Sequence, residues 1–152
     1  PMVAIKPATT MQARTDGAKF LLPIETFLAE CCAGRPSVQP GAAVRKLFLH
    51  CTESSSGPAA GSQWKAVFAA HGADVEVVET GCCGMSGLFG HEAEHLEMSR
   101  RIFELSWAKP LSSGEGMATG FSCRCQTKRL IGRRLLHPIE VLAESIGCSV
   151  GA

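Results

Sequence analysis

The chain has 152 residues, 45% of them hydrophobic, and carries 15 Lys and Arg against 14 Asp and Glu, a formal net charge of +1. That balance leaves no basic footprint for nucleic acid, and no apolar run approaches the ~18 residues of a membrane span. The apolar content suffices for one domain with an attached arm.

Residues 1 to about 19 are polar and aperiodic and read as an arm or linker. They lack the basic-then-apolar pattern of a secretory signal, and they open on Pro1, as a processed or excised piece would. From Pro23 to Cys32, Ile24, Phe27, Leu28 and Cys31 recur at helical spacing, with Pro in the first turn. Two Pro and two Gly between Ala33 and Ala43 break that helix. Lys46 to His50 reads as a strand that runs into Cys51, and Thr52 to Gly61 as a Ser-, Gly- and Pro-rich loop. Ser62 is the expected cap of a helix carrying Trp64, Val67, Phe68 and His71.

Val75 to Val78 is a second strand, followed by Gly81-Cys82-Cys83-Gly84, with four Gly between Gly81 and Gly90. A long helix is expected over Glu92–Ala108, with Leu96, Phe103 and Trp107 on one stripe. Gly116–Gly120 forms a third strand leading to Cys123 and Cys125, and a helix is expected over Gln126–Gly132. A last helix opens at Pro138 with Ile139, Leu142, Ala143 and Ile146 at helical spacing. Leu21-Leu22-Pro23-Ile24-Glu25 resembles Leu135-Leu136-His137-Pro138-Ile139-Glu140, so residues 1–43 read as an arm plus the tail of a preceding homologous repeat.

Alternating strands and helices predict an α/β fold: a small parallel sheet flanked by helices, with cysteines at the carboxyl ends of its strands. Cys51, Cys82, Cys83, Cys123 and Cys125 would then meet at one rim. Eight cysteines in such a chain, two pairs of them adjacent, do not read as a disulfide scaffold. Soft thiolates at three strand ends suit zinc or an iron–sulfur cluster instead. The spacing of 30 residues from Cys51 to Cys82 and 39 from Cys83 to Cys123 is not that of a zinc finger. Cys31, Cys32 and Cys148 lie outside the pattern and read as packing or surface thiols.

Gly81-Cys82-Cys83-Gly84, with His50-Cys51 upstream and Cys123 downstream, resembles the cysteine-rich CCG domain of heterodisulfide reductases and of the iron–sulfur component of glycolate oxidase. The likeness is closer to the C-terminal part of FAD-linked D-2-hydroxyacid dehydrogenases of the D-2-hydroxyglutarate type. It is carried by Phe48-Leu49-His50-Cys51-Thr52-Glu53, Gly84-Met85-Ser86-Gly87, Phe89-Gly90-His91-Glu92, Leu105-Ser106-Trp107, Gly120-Phe121-Ser122-Cys123-Arg124 and His137-Pro138. The resemblance implies a CCG domain over residues 44–147 and an electron-transfer module. It implies a [4Fe–4S] cluster, cubane or non-cubane, on Cys51, Cys82, Cys83, Cys123 and Cys125. The family ends in Cys-x-x-Cys where this chain has Cys-x-Cys, so ligation by the first four alone stays open. A structural zinc-binding interaction domain on the same thiols is the alternative.

FAD would belong to other domains of the parent polypeptide, so the chain alone is expected to hold no catalytic residue and no dehydrogenase activity. Its expected partners are flavin and ferredoxin-like domains and a downstream electron acceptor. A cytoplasmic location is expected, or one peripheral to a membrane, with the cluster lost on aerobic purification. His50, Gly84, His91 and His137 are the expected surroundings of the cluster, His91 at a helix start and His137 as a cap. His91-Glu92-Ala93-Glu94-His95 matches the His-Glu-x-x-His zinc pattern, but beside Gly90 it reads as a helix start. Lys128, Arg129, Arg133 and Arg134 read as a solvated face or a dock for an acidic partner.

Overall fold

The computed structural model describes residues 2–4, 21–33 and 44–145. Strands β3 (Arg45–Phe48), β4 (Val75–Val78) and β5 (Gly116–Ala118) form a parallel sheet in the order β4-β3-β5. Phe48 pairs with both Val78 and Ala118, so all three strands end level at one edge. Met2–Ala4 (β1) and Leu21–Pro23 (β2) form a separate parallel pair.

Successive strand side chains point to opposite faces. Leu47, Leu49, Val75 and Met117 therefore enter one core with Trp64, Val67, Phe68, Val141 and Leu142. Phe48 and Ala118 enter the other, with Phe103, Trp107, Leu111, Leu135 and Cys123. The first core is covered by α1 (Ile24–Cys32), α3 (Ala60–Ala70) and α6 (Pro138–Ser145). The second is covered by α4 (Leu96–Phe103, continued by a π turn at Glu104–Ala108 and a last turn at Lys109–Leu111) and α5 (Phe121–Ile131). The crossovers β3→β4 and β4→β5 move in opposite directions over opposite faces, so they share one hand. Among the described residues, no helix is long and apolar enough to cross a membrane.

Several helix starts differ from the sequence expectation, each for a local reason. The expected loop at Thr52–Gly61 begins as helix α2 (Cys51–Ser56), because His50 caps it: its Nδ1 accepts the Thr52 N–H at 3.2 Å. Strand β3 stops at Phe48, two residues short of His50. Helix α3 begins at Ala60 without a side-chain cap, so Ser62 lies inside it. Two 3-10 turns, Phe89–His91 and Ala93–His95, occupy the expected start of the long helix, and Leu96 is largely exposed rather than on the buried stripe.

Helix α5 begins at Phe121, five residues early, and stops where Gly132 turns left-handed at φ 68°. Cys123 and Cys125 therefore stand on a helix rather than on a loop. In α1, Cys31 is exposed, and Glu25 is the buried member. Residues 5–20 and 34–43, most of the expected arm, lie outside the described residues, as do Ile146 and Cys148. The two similar segments share a local form: each is extended chain entering a helix, and Leu136 bridges Met117 as a further parallel partner.

Helix α1 joins α3 through Ile24, Leu28 and Ala29 on the first core and a Thr26–Gln63 hydrogen bond of 3.2 Å. Burial raises the Glu25 carboxyl to about 7, with repulsion from Glu53 adding to it. The unfolded chain ionises Glu25 from about pH 4.5, while the folded chain keeps it protonated to about 7, so the folded state loses stability as pH rises through that window. The melting temperature of Glu25→Gln should therefore gain on the natural chain as pH rises from 4.5 to 7.5, measured by circular dichroism. A difference that stays flat across that range would mean Glu25 is free in water.

Candidate metal centre

The chain leaves β3 toward one face of the sheet and β5 toward the other, which opens a crevice at the carboxyl edge between neighbouring strands. Cys51 is the first residue of α2, Cys82 and Cys83 follow β4, and Cys123 stands in the first turn of α5. The edge brings these four thiols into one neighbourhood, where Cys51, Cys83 and Cys123 are each perturbed by others of the set. The Cys51 thiol is raised by burial and then by charge on Cys82 and Cys83. Cys123 donates to Cys83, which raises Cys123 and, as its main effect, lowers Cys83 to about 7. Burial and charge on Cys83 and Cys51 raise Cys123 further. Soft donors gathered in this way, with Cys51 and Cys123 raised by charge on their neighbours, are a set a cation would unite.

Two groups of buried hydrogen bonds hold the set in place. On the Cys51 side, Glu53 is 5% exposed and accepts from Trp64 Nε1 at 3.1 Å and from the Thr119 hydroxyl. Thr119 Oγ1 in turn accepts the His50 N–H at 2.9 Å, which ties the start of α2 to the end of β5. His50 Nε2 lies 3.4 Å from Ser122 Oγ, and burial lowers its pKa, so it stays neutral. Gly120 is required here: a Cβ on it would come within 2.5 Å of His50 Cδ2 and 2.7 Å of Cys123 Sγ.

On the other side, the segment after β4 is pinned to α4. Trp107 Nε1 donates to Gly81 O at 3.0 Å and Ser106 Oγ to Cys82 O at 3.5 Å, both from the π turn. Ser99 Oγ donates to Gly84 O at 2.8 Å, and the Gly84 N–H donates to Cys82 Sγ at 3.3 Å. Gly84 has φ 86°, and a Cβ there would lie 2.2 Å from Ser99 O. Only glycine satisfies both conditions.

The remaining candidates fall elsewhere. Cys125 is two residues past Cys123 on a helix, so the two side chains diverge by about 200°. It lines a separate recess with Phe121, Arg124, Lys128, Arg134, Leu135 and Glu140. His91 is exposed at the end of a 3-10 turn and makes no side-chain hydrogen bond among the described residues. His137 caps α6, its Nδ1 accepting the Ile139 N–H at 3.2 Å, and burial lowers it to about 4.

Glu92, Glu94 and His95 offer ligand atoms within 4.8 Å of one another on the surface, but His91 is not among them, and the motif lies in 3-10 turns rather than within one helix. Of the basic run, Arg129 bonds Gly90 O and Gln126, Arg133 bonds Leu111 O and Gly114 O, and Arg134 pairs with Glu140 at 3.9 Å. These arginines tie the fold together. In the sequence Glu53 stood only as the end of the Phe48–Glu53 motif, and Thr119, Ser99 and Gln126 were not marked as site residues. The one signal it carried was their spacing: Glu53 stands two residues past Cys51, and Gln126 three past Cys123.

No protein-family model and no solved structure matches the chain. Curated proteins do. The chain is 42% identical over 154 aligned residues to the D-2-hydroxyglutarate dehydrogenase of Pseudomonas putida, covering 95% of itself and 15% of that protein. It is 38% identical to the enzyme of the same name from Escherichia coli and 37% to that of Pantoea ananatis, covering 16% of each. The chain is thus similar to these D-2-hydroxyglutarate dehydrogenases over nearly all of its own length, while spanning only about 15% of theirs.

Proposed function

We propose that this chain is the electron-transfer module of an FAD-linked D-2-hydroxyacid dehydrogenase, with a [4Fe–4S] cluster held by Cys51, Cys82, Cys83 and Cys123. The observation that carries the reading is the meeting of these thiols from three separate segments, each altering another's protonation. The donor set fits the group, because iron–sulfur clusters are held by cysteine thiolates. When bound, such a cluster takes up and releases single electrons. The protein's own part is to present the thiolates, to give the Gly84 N–H to Cys82 Sγ, and to close the inner side with Phe48 and Trp107, whose rings stack at 5.0 Å. Oxidation of the hydroxyacid and FAD binding would belong to the rest of a longer polypeptide, whose flavin and ferredoxin-like domains are the proposed partners, with an electron acceptor downstream.

Protein reconstituted under anaerobic conditions with iron and sulfide should turn brown and contain both in amounts near one cluster per chain. Stoichiometric zinc without acid-labile sulfide would overturn the electron-transfer reading in favour of a structural zinc site. Cys51→Ser, Cys82→Ser, Cys83→Ser and Cys123→Ser should each lower retained iron severalfold, while Cys125→Ser, Cys31→Ser and Cys32→Ser should retain it. Iron loss in the second group equal to that in the first would refute the assignment. After gel filtration with excess FAD, the chain should show no flavin absorbance; a stoichiometric flavin band would place the flavin site here.

A further inference from the structure

We propose that Gln126 is a positioning residue for the thiol site: acting through Ser99, it holds Gly84 so that the Gly84 N–H points at Cys82 Sγ. The inference rests on reading the thiols as a metal site, but not on which metal they hold.

Gln126 lies three residues after Cys123 and so shares its side of α5. It is fully buried, as is Ser99 on α4. Its amide Nε2 donates to Ser99 Oγ at 2.7 Å, and its Oε1 accepts from Arg129 Nη2 at 2.7 Å. Ser99 passes its single proton to Gly84 O at 2.8 Å. The donors therefore run one way: Arg129 to Gln126, Gln126 to Ser99, Ser99 to the Gly84 carbonyl. With its carbonyl held, and its backbone against Ser99 O where no Cβ would fit, Gly84 is fixed against α4, and there its N–H meets Cys82 Sγ at 3.3 Å.

A glutamine fits this direction. Its amide nitrogen and Arg129 Nη2, at 3.4 Å, both donate to Ser99 Oγ, which leaves Gly84 O as the acceptor for the Ser99 proton. A carboxylate at position 126 has no proton to give. It would draw the Ser99 hydroxyl to itself and leave the buried Gly84 carbonyl without a partner. The same chain of bonds joins α5, which carries Cys123, to the segment that carries Cys82 and Cys83. Groups that hold metal ligands in place are typically worth about 10–100-fold in metal affinity.

The test is titration of the whole chain with Co2+ under anaerobic conditions, following the thiolate-to-cobalt charge-transfer band. Gln126→Glu, which keeps the size of the side chain, and Ser99→Ala should each raise the cobalt dissociation constant about tenfold or more. Both should also shift the band. Val67→Ala, in the core on the opposite face of the sheet, should change affinity less than twofold at a comparable loss of melting temperature. A natural affinity and spectrum in Gln126→Glu, or a loss matched by Val67→Ala, would overturn the proposal. If Gln126→Glu does not fold, Ser99→Ala decides it by the same reading. A chain that takes cobalt on its thiolates but forms no iron–sulfur cluster would overturn the electron-transfer reading and leave this inference standing.

Discussion

Parallel pairing of β3 with both of its neighbours is the constraint on which the rest depends. Parallel strands must be joined by crossovers, so every exit from this sheet lies at the same edge. With Phe48, Val78 and Ala118 in register, the chain emerges at three adjacent points of that edge. Cys51, Cys82, Cys83 and Cys123 lie three to five residues beyond those points. An antiparallel neighbour would have sent one group of thiols to the far end of the sheet. The strands are only three or four residues long and offer few side chains per face. Their stability therefore comes from large helical partners, Trp64 and Phe68 on one side and Phe103 and Trp107 on the other, all fully buried.

Gathering the thiols opposes ionisation of Cys51 and Cys123, and the fold surrounds them with hydrogen bonds. Cys123 keeps its proton and lends it to Cys83. Backbone N–H groups of Thr52 and Gly84 meet Cys51 and Cys82. Two glycines that permit close approach, Gly84 and Gly120, stand on opposite sides of the set, each beside a polar clamp. A side chain at Gly84 would press on the Ser99 backbone and one at Gly120 on the His50 ring and Cys123 Sγ, so glycine and clamp act as one device.

The strands and the thiols were legible because both have strong local signals: short apolar runs that end in glycine and cysteine. The helix starts were not, because their caps are unusual. His50 caps α2 with an imidazole nitrogen, and α5 follows Gly120 with no capping side chain at all. Neither resembles the Ser, Thr, Asp or Asn that marks a helix start in a sequence. The difference has a consequence at the site. On a loop, Cys123 and Cys125 could both face the rim; on a helix only one of them does. Glu25 was hidden for a different reason: a glutamate in a first turn reads as a favourable surface charge, whereas α1 packs on α3 and the carboxylate that repels Glu25 is Glu53, both remote in sequence.

Polar side chains at the centre of a core this small need a reason, because each must find partners or cost stability. Glu53, Thr119, Ser99 and Gln126 all find them, and the bonds of Glu53, Ser99 and Gln126 each tie a segment that carries a thiol to a neighbour. Apolar residues of the same volume would pack the helices equally well but would leave them free to slide by fractions of an ångström. Packing of aliphatic groups is tolerant of such shifts, whereas a hydrogen bond weakens steeply with angle and distance. Ligation demands the stricter of the two, since metal–sulfur bonds of about 2.3 Å allow little variation between the segments that supply them. On the proposed reading of the thiols as ligands, the polar clamps belong to the requirement of the site, and the two aromatic cores to the requirement of the fold.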